Sequence, residues 1–262
     1  MRRAGIGRRH ATGGEGTPHD SESQVTRATL GLRQLLLEGA FQPGQRIAEI
    51  PLSSRLGVSR TPLRLAFEKL EHEGLVKALP LSGFAANEFT IAEIWDAIET
   101  RSVLEGASAR LAAERLKSPS QLEPLRKLNR AMESISDITI ENFTKYLDMN
   151  KIFHSAITDL ADNQFLRRTL DQVYMFPFVS PSSRVLLHRT VPGSKEIIPI
   201  AEEHHRAILD AIEHREGARA ESLAREHARL TRRNLEEALA DGSVRDTIPG
   251  SRLIKIRIAD KP

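Results

Sequence analysis

The chain has no cysteine. That excludes disulfides, thiolate zinc sites and cysteine nucleophiles together, and leaves His, carboxylate and amide groups to hold any metal. It also has no apolar run near the roughly 18 to 20 residues that span a bilayer, and its N-terminus lacks the apolar core of a secretory signal. The expected compartment is the cytoplasm, with no membrane partner. Against these absences stand 262 residues, 40% hydrophobic and 28% charged, with a mean hydropathy of −0.34. This describes a soluble globular chain of one large domain or two unequal ones, and excludes fibrous and largely disordered classes. Of 38 basic residues nine are Lys and 29 Arg, for a formal charge of +3 and a pI near 9.3. Such a balance permits nucleic-acid binding without demanding it.

Residues 1–22 hold Arg2, Arg3, Arg8 and Arg9 among Gly, Ser, Thr and His, with little to bury, and read as a flexible basic arm. Residues 23–88 read as one domain. Val25, Leu32, Leu35 and Leu36 give helical spacing over 25–41, stopped by Gly39 and Pro43-Gly44. A short helix ends at Gly57, and a third begins with Ser59 as its cap and Pro62 in its first turn. Its inner face carries Leu63, Phe67 and Leu70 as far as Gly74. Residues 75–79 and 84–86 then flank a Pro-Leu-Ser-Gly turn, a two-stranded hairpin. Three helices and a hairpin make a winged helix-turn-helix.

Residues 89–241 read as a second, all-helical domain. Thr90-Ile91-Ala92-Glu93 is a capping box that opens a long helix to about Lys117. Further helices are expected to about Ser136, over 140–161 and 164–179, and over 194–216 and 218–240, the last two separated by Gly217. The fold class is therefore mainly α, an N-terminal winged helix-turn-helix followed by an antiparallel helical bundle. Residues 242–262 form a C-terminal tail whose alternating run at 253–258 suits either a small strand or a mobile end.

A helix-turn-helix needs long donors on its third helix, because guanine offers O6 and N7 to the major groove and phosphates need cations. Arg60 and Arg64 are four apart and share the face opposite Leu63 and Phe67. Ser59 and Thr61 at the helix N-terminus suit phosphate oxygens, and Arg55 on the preceding helix reaches toward the backbone. Taken alone, such a pair of arginines is equally a solvated helix face. Residues 56–64, Leu-Gly-Val-Ser-Arg-Thr-Pro-Leu-Arg, resemble the helix-turn-helix of the GntR family of bacterial transcription regulators. The resemblance implies a homodimer on a palindromic double-stranded DNA operator, with Gly83 of the wing at the minor groove. Ile50 stands where the fatty-acid-responsive member uses a basic residue, which leaves more of the base readout to Arg60 and Arg64.

Nine histidines raise the question of a metal. Asn150 and His154 share a helix face at i and i+4. His205 and His227 lie on consecutive helices, equidistant from residue 216, and so level with each other in an antiparallel hairpin. Asn150, His154, His205 and His227 can thus converge from three helices. His204 points about 100° away from His205, and His10, His19, His72, His188 and His214 have no such geometry. The pattern is similar to the FCD ligand-binding domain of the FadR-like subfamily, whose metal-containing members carry Asp-x3-His and two later histidines; Asn150 replaces that Asp. A neutral amide is the poorer ligand, so metal affinity falls or an effector carboxylate balances the charge. Within the subfamily, Arg101-x3-Glu105, Asn150 and Arg-Ile-Ala-Glu-Ile-Pro at 46–51 look most like vanillate-responsive regulators.

Arg101 is either a bidentate carboxylate anchor or a surface ion pair with Glu105. Asn234, two turns after His227, faces the same pocket, and Tyr174 and Arg184 come from a helix-breaking region suited to a lid. The expectation is a non-enzymatic, ligand-responsive regulator, a repressor released by a small carboxylate (aromatic acids included) at a divalent metal of the Zn, Ni or Mn class. A metal-dependent enzyme fused to a DNA-binding module, or a sensor of the metal itself, stands as the alternative.

Overall fold

A computed structural model describes residues 18–81, 83–135, 139–176, 178–180, 194–240 and 249–255. Helix α1 (Pro18–Leu37) leads into β1 (Arg46–Ile47), α2 (Glu49–Leu56), α3 (Arg60–His72), β2 (Val76–Ala78) and β3 (Phe84–Ala86). The strands form an antiparallel sheet in the order β1-β3-β2. Then come β4 (Phe89–Thr90), α4 (Ile91–Arg115), a 3₁₀ turn (Pro119–Leu122), α5 (Glu123–Glu133), α6 (Ile140–Leu160), α7 (Gln164–Met175), α8 (Ser194–Glu213), α9 (Gly217–Ala240) and β5 (Ile254–Lys255).

Local chemistry sets most of these boundaries. Gly57 ends α2 at φ +62, a conformation that glycine adopts without a Cβ clash. Ser59 is the N-cap of α3, but its hydroxyl makes no capping bond. Thr90 and Glu93 form the full capping box of α4, each side chain paired with the other's backbone N–H. Helix α4 packs along α9, and α8 returns antiparallel to α9.

Three expectations need correction. The first helix spans Pro18–Leu37, so residues 18–22, assigned to the basic arm, are helical, and Phe41 lies beyond the helix. Arg215, at φ +58, makes the α8–α9 turn, while Gly217 begins α9, where a Cβ would sit 3.1 Å from Arg110 Cγ of α4. Helix α7 stops at Met175 rather than near 179. Of the two readings of the run at 253–258, the strand is the one found at residues 254–255: β5 pairs in parallel with β4, and Leu253 and Ile254 are buried.

The described residues form two hydrophobic cores. One gathers α1 to β4 around Leu32, Leu36, Phe67 and Leu70, and crosses the boundary expected at 88–89 to take in Ile94, Ile98, Phe178, Val179, Leu235, Leu253 and Ile254. The other lies among α4, α5, α6, α8 and α9 around Leu122, Met132, Phe153, Ile208 and Ile212. No described helix is long and apolar enough to cross a membrane.

Candidate functional site

In the helix-turn-helix half, Pro62, Leu63, Ala66, Phe67 and Leu70 bury one side of α3, and Phe67 stacks on Phe84 of the wing at 4.6 Å. The other side, with Ser59, Arg60, Thr61 and Arg64, is exposed, as is Arg55 on α2. Arg60, Arg64 and Gly83 line one concavity of about 650 Å³ between α3, the start of α2 and the wing; Arg55, Ser59 and Thr61 lie outside it. Arg64 is engaged within the protein, its Nε donating to Glu49 Oε2 at 3.1 Å. Arg46 also lines this concavity, and its alternation with the buried Ile47 was the sequence signal that could have found it.

In the helical half the three expected histidines meet. His227 Nε2 lies 3.1 Å from His154 Nε2 and 3.2 Å from His205 Nε2. Two nitrogens at about 2.05 Å from one tetrahedral ion stand about 3.3 Å apart, so the spacing suits a shared divalent cation. All three rings are buried. Burial holds His154 down to about 4, and holds His205 and His227 well below the ordinary imidazole range, with neighbouring histidines adding to the effect. The rings are therefore neutral near pH 7, the form that ligates a metal. His205 Nδ1 and His227 Nδ1 meet no hydrogen-bond partner among the described residues. Asn150 is buried one turn before His154 on α6.

Beside the histidines, Glu105 Oε1 lies 3.5 Å from His154 Nδ1, the position of a carboxylate that orients a ligating imidazole. The same carboxylate accepts from Arg101 Nε at 2.8 Å and from the Tyr174 hydroxyl at 2.6 Å. Burial pushes the Glu105 pKa up, but Arg101, His154 and these hydrogen bonds outweigh it and hold the group below the ordinary carboxylate range. Arg101 is a buried ion pair rather than a surface one, and its Nη1 donates at 2.9 Å both to the Val179 carbonyl and to Thr231 Oγ1. Thr231, one turn after His227, was legible from spacing; the Val179 carbonyl was not. Asn234 is buried on α9, and its Oδ1 meets no partner among the described residues. Arg184 lies outside the described residues. Between Glu105, His154, Thr158, Ile208 and His227 is a cavity of only about 10 Å³, room for one water-sized body.

Residues 24–85 match the model of the bacterial regulatory proteins of the gntR family, and residues 96–230 match the FCD domain. The HTH-type transcriptional repressor RspR of Escherichia coli (strain K12) is 29% identical over 205 residues, covering 75% of this chain and 82% of that protein. The uncharacterized HTH-type transcriptional regulator YdhC of Bacillus subtilis (strain 168) is 32% identical over 145 residues, 54% of this chain and 62% of YdhC, so the match spans under two thirds of that relative. The solved structure of Lar, which controls the expression of the Listeria monocytogenes agr system, shares the fold at 21% identity and a TM-score of 0.57, covering 81% of this chain and 96% of Lar. The chain belongs to the GntR family of bacterial regulatory proteins, with an N-terminal helix-turn-helix half joined to a helical FCD domain.

Proposed function

We propose that this regulator is a homodimeric repressor of the cytoplasm, released from a palindromic operator by a small carboxylate bound at a divalent metal. The observation that carries the reading is the meeting of three buried, neutral imidazoles at 3.1 and 3.2 Å. His154, His205 and His227, with Asn150 from the same face as His154, would hold the ion, which would supply a Lewis-acidic charge for the carboxylate. Glu105 and Arg101 already neutralise each other, so a divalent cation among uncharged ligands leaves the pocket short of negative charge, and an anion restores the balance. The name of RspR supports repression as the sign. An aromatic acid of the vanillate kind is suggested by the resemblance of Arg101-x3-Glu105, Asn150 and the motif at 46–51 to vanillate-responsive regulators.

A route from the pocket to the DNA-binding half runs through one hydrogen bond and a chain of packed side chains. Arg101 holds the Val179 carbonyl, and Val179 and Phe178 belong to the first core with α3 and β4. Phe89 of β4 makes edge contacts with Phe176 at 5.1 Å and with Phe178 at 6.4 Å. The cavity of about 10 Å³ admits an aromatic acid only if this segment and Tyr174 yield. An effector that draws on Arg101 thereby weakens the hold on Val179, and shifts operator affinity by its differential affinity for the two arrangements. The experiment is thermal denaturation and calorimetry after chelation and metal reloading, against a panel of aromatic and aliphatic carboxylic acids. Stabilisation by an acid only in the metal-loaded protein, lost in His205→Ala, is the expected result. Full metal content in His205→Ala, or acid binding indifferent to metal, overturns it.

A further inference from the structure

We infer that Arg46 is a third DNA-contacting arginine, holding a backbone phosphate between the recognition helix and the wing. Strand β1 has two residues whose side chains alternate across the sheet: Ile47 goes into the core at 2% exposure, which sends Arg46 to the outer face. Pairing of Arg46 with Ala85 and of Ile47 with Phe84 fixes the strand beside the wing. The guanidinium rests over the wing turn, where a Cβ on Gly83 would lie 3.5 Å from Arg46 Nη2 and 3.6 Å from Nε. Arg46, Arg60 and Arg64 line one concavity, in which Glu49 and Glu68 are the acidic groups among the described lining residues, and Glu49 accepts from Arg64.

The position selects the kind of contact. In a winged helix-turn-helix on DNA the recognition helix lies in the major groove, and the wing reaches the adjoining minor groove. A cation carried between them faces the phosphate ridge that separates the two grooves. A planar guanidinium matches that ridge bidentately. Arg46 thus adds affinity and fixes the wing's approach, and leaves sequence discrimination to Arg60 and Arg64.

The test is a salt series of anisotropy titrations with the full chain on a duplex selected by the wild type from a random pool, and on a scrambled duplex of equal length. Arg46→Gln lowers affinity for both duplexes by a similar factor, roughly five- to tenfold per half-site near 0.1 M salt, and flattens the dependence of log K on log salt by about 0.9 per half-site. Arg46→Lys keeps the wild-type slope, because the charge remains. Arg60→Ala, as comparator, loses affinity mainly on the selected duplex. An unchanged slope in Arg46→Gln, or a loss confined to the selected duplex, overturns the assignment. If Arg46→Gln loses its cooperative melting transition, Arg46→Lys decides: a slope reduced as far as one lost cation would reduce it refutes a phosphate contact made through charge.

Discussion

At the scale of single residues, the cost of burying charge and the need for partners explain both sites. Arg101 and Glu105 have side-chain exposures of 2% and 5%, and breaking such a pair strands the remaining charge. Glu105→Ala is expected to cost about 3 to 5 kcal/mol in denaturant unfolding. A loss below about 1 kcal/mol would mean that water reaches Arg101. Asn150→Asp brings an anionic oxygen to the histidine cluster: it should tighten metal while weakening an anionic effector, because the pocket becomes less positive. Calorimetry reads both affinities, and changes of the same sign contradict a carboxylate at the ion. On the DNA face, Arg60→Ala and Arg64→Ala should each cost about 1 to 3 kcal/mol of specific binding. Glu49→Gln should act the other way, tightening operator binding by about 0.5 to 1 kcal/mol, because Arg64 is then no longer held at 3.1 Å by a carboxylate.

At the scale of elements, the parts legible in the sequence are those fixed by local rules. The capping box at Thr90 and Glu93, the stop at Gly57 and the apolar face of α3 follow from spacing alone. His205 and His227 were legible because residues equidistant from an antiparallel turn lie level, although the turn itself is made by Arg215 and not by the glycine. Gly217 serves instead for close approach to Arg110 and Glu114. What remained hidden depends on contacts distant in sequence: β5 against β4, the Gly250 N–H donating to the Leu37 carbonyl at 2.8 Å, and Phe178 in the DNA-binding core at φ +69. No periodicity marks a single aromatic that crosses between domains. Phe178→Ala should destabilise the chain by about 3 kcal/mol. It should also reduce the change in operator affinity that the effector produces, while effector affinity in the metal-loaded protein is retained. Full regulation in this variant would mean that the two halves communicate by another route.

At the scale of the whole molecule, the net charge of +3 is too small to hold DNA by a general field, so affinity must come from arginines concentrated on one face. In the proposed reading, one such face reads one half-site. Two copies related by a twofold axis read two, and the half-sites must then lie about 34 Å apart or at a multiple of that distance, so that both recognition helices meet the major groove on the same side of the duplex. Joining the copies makes the second contact intramolecular, which raises affinity with no new kind of contact. Sedimentation at micromolar concentration should therefore give twice the 29.2 kDa of one chain, free and on DNA. Inserting about five base pairs between the half-sites turns one of them to the far side of the duplex, and should reduce affinity to that of a single half-site, whereas inserting about ten restores the facing and most of the binding. A strictly monomeric species in both states, or affinity indifferent to the five-base-pair insertion, would mean that each chain finds its site alone.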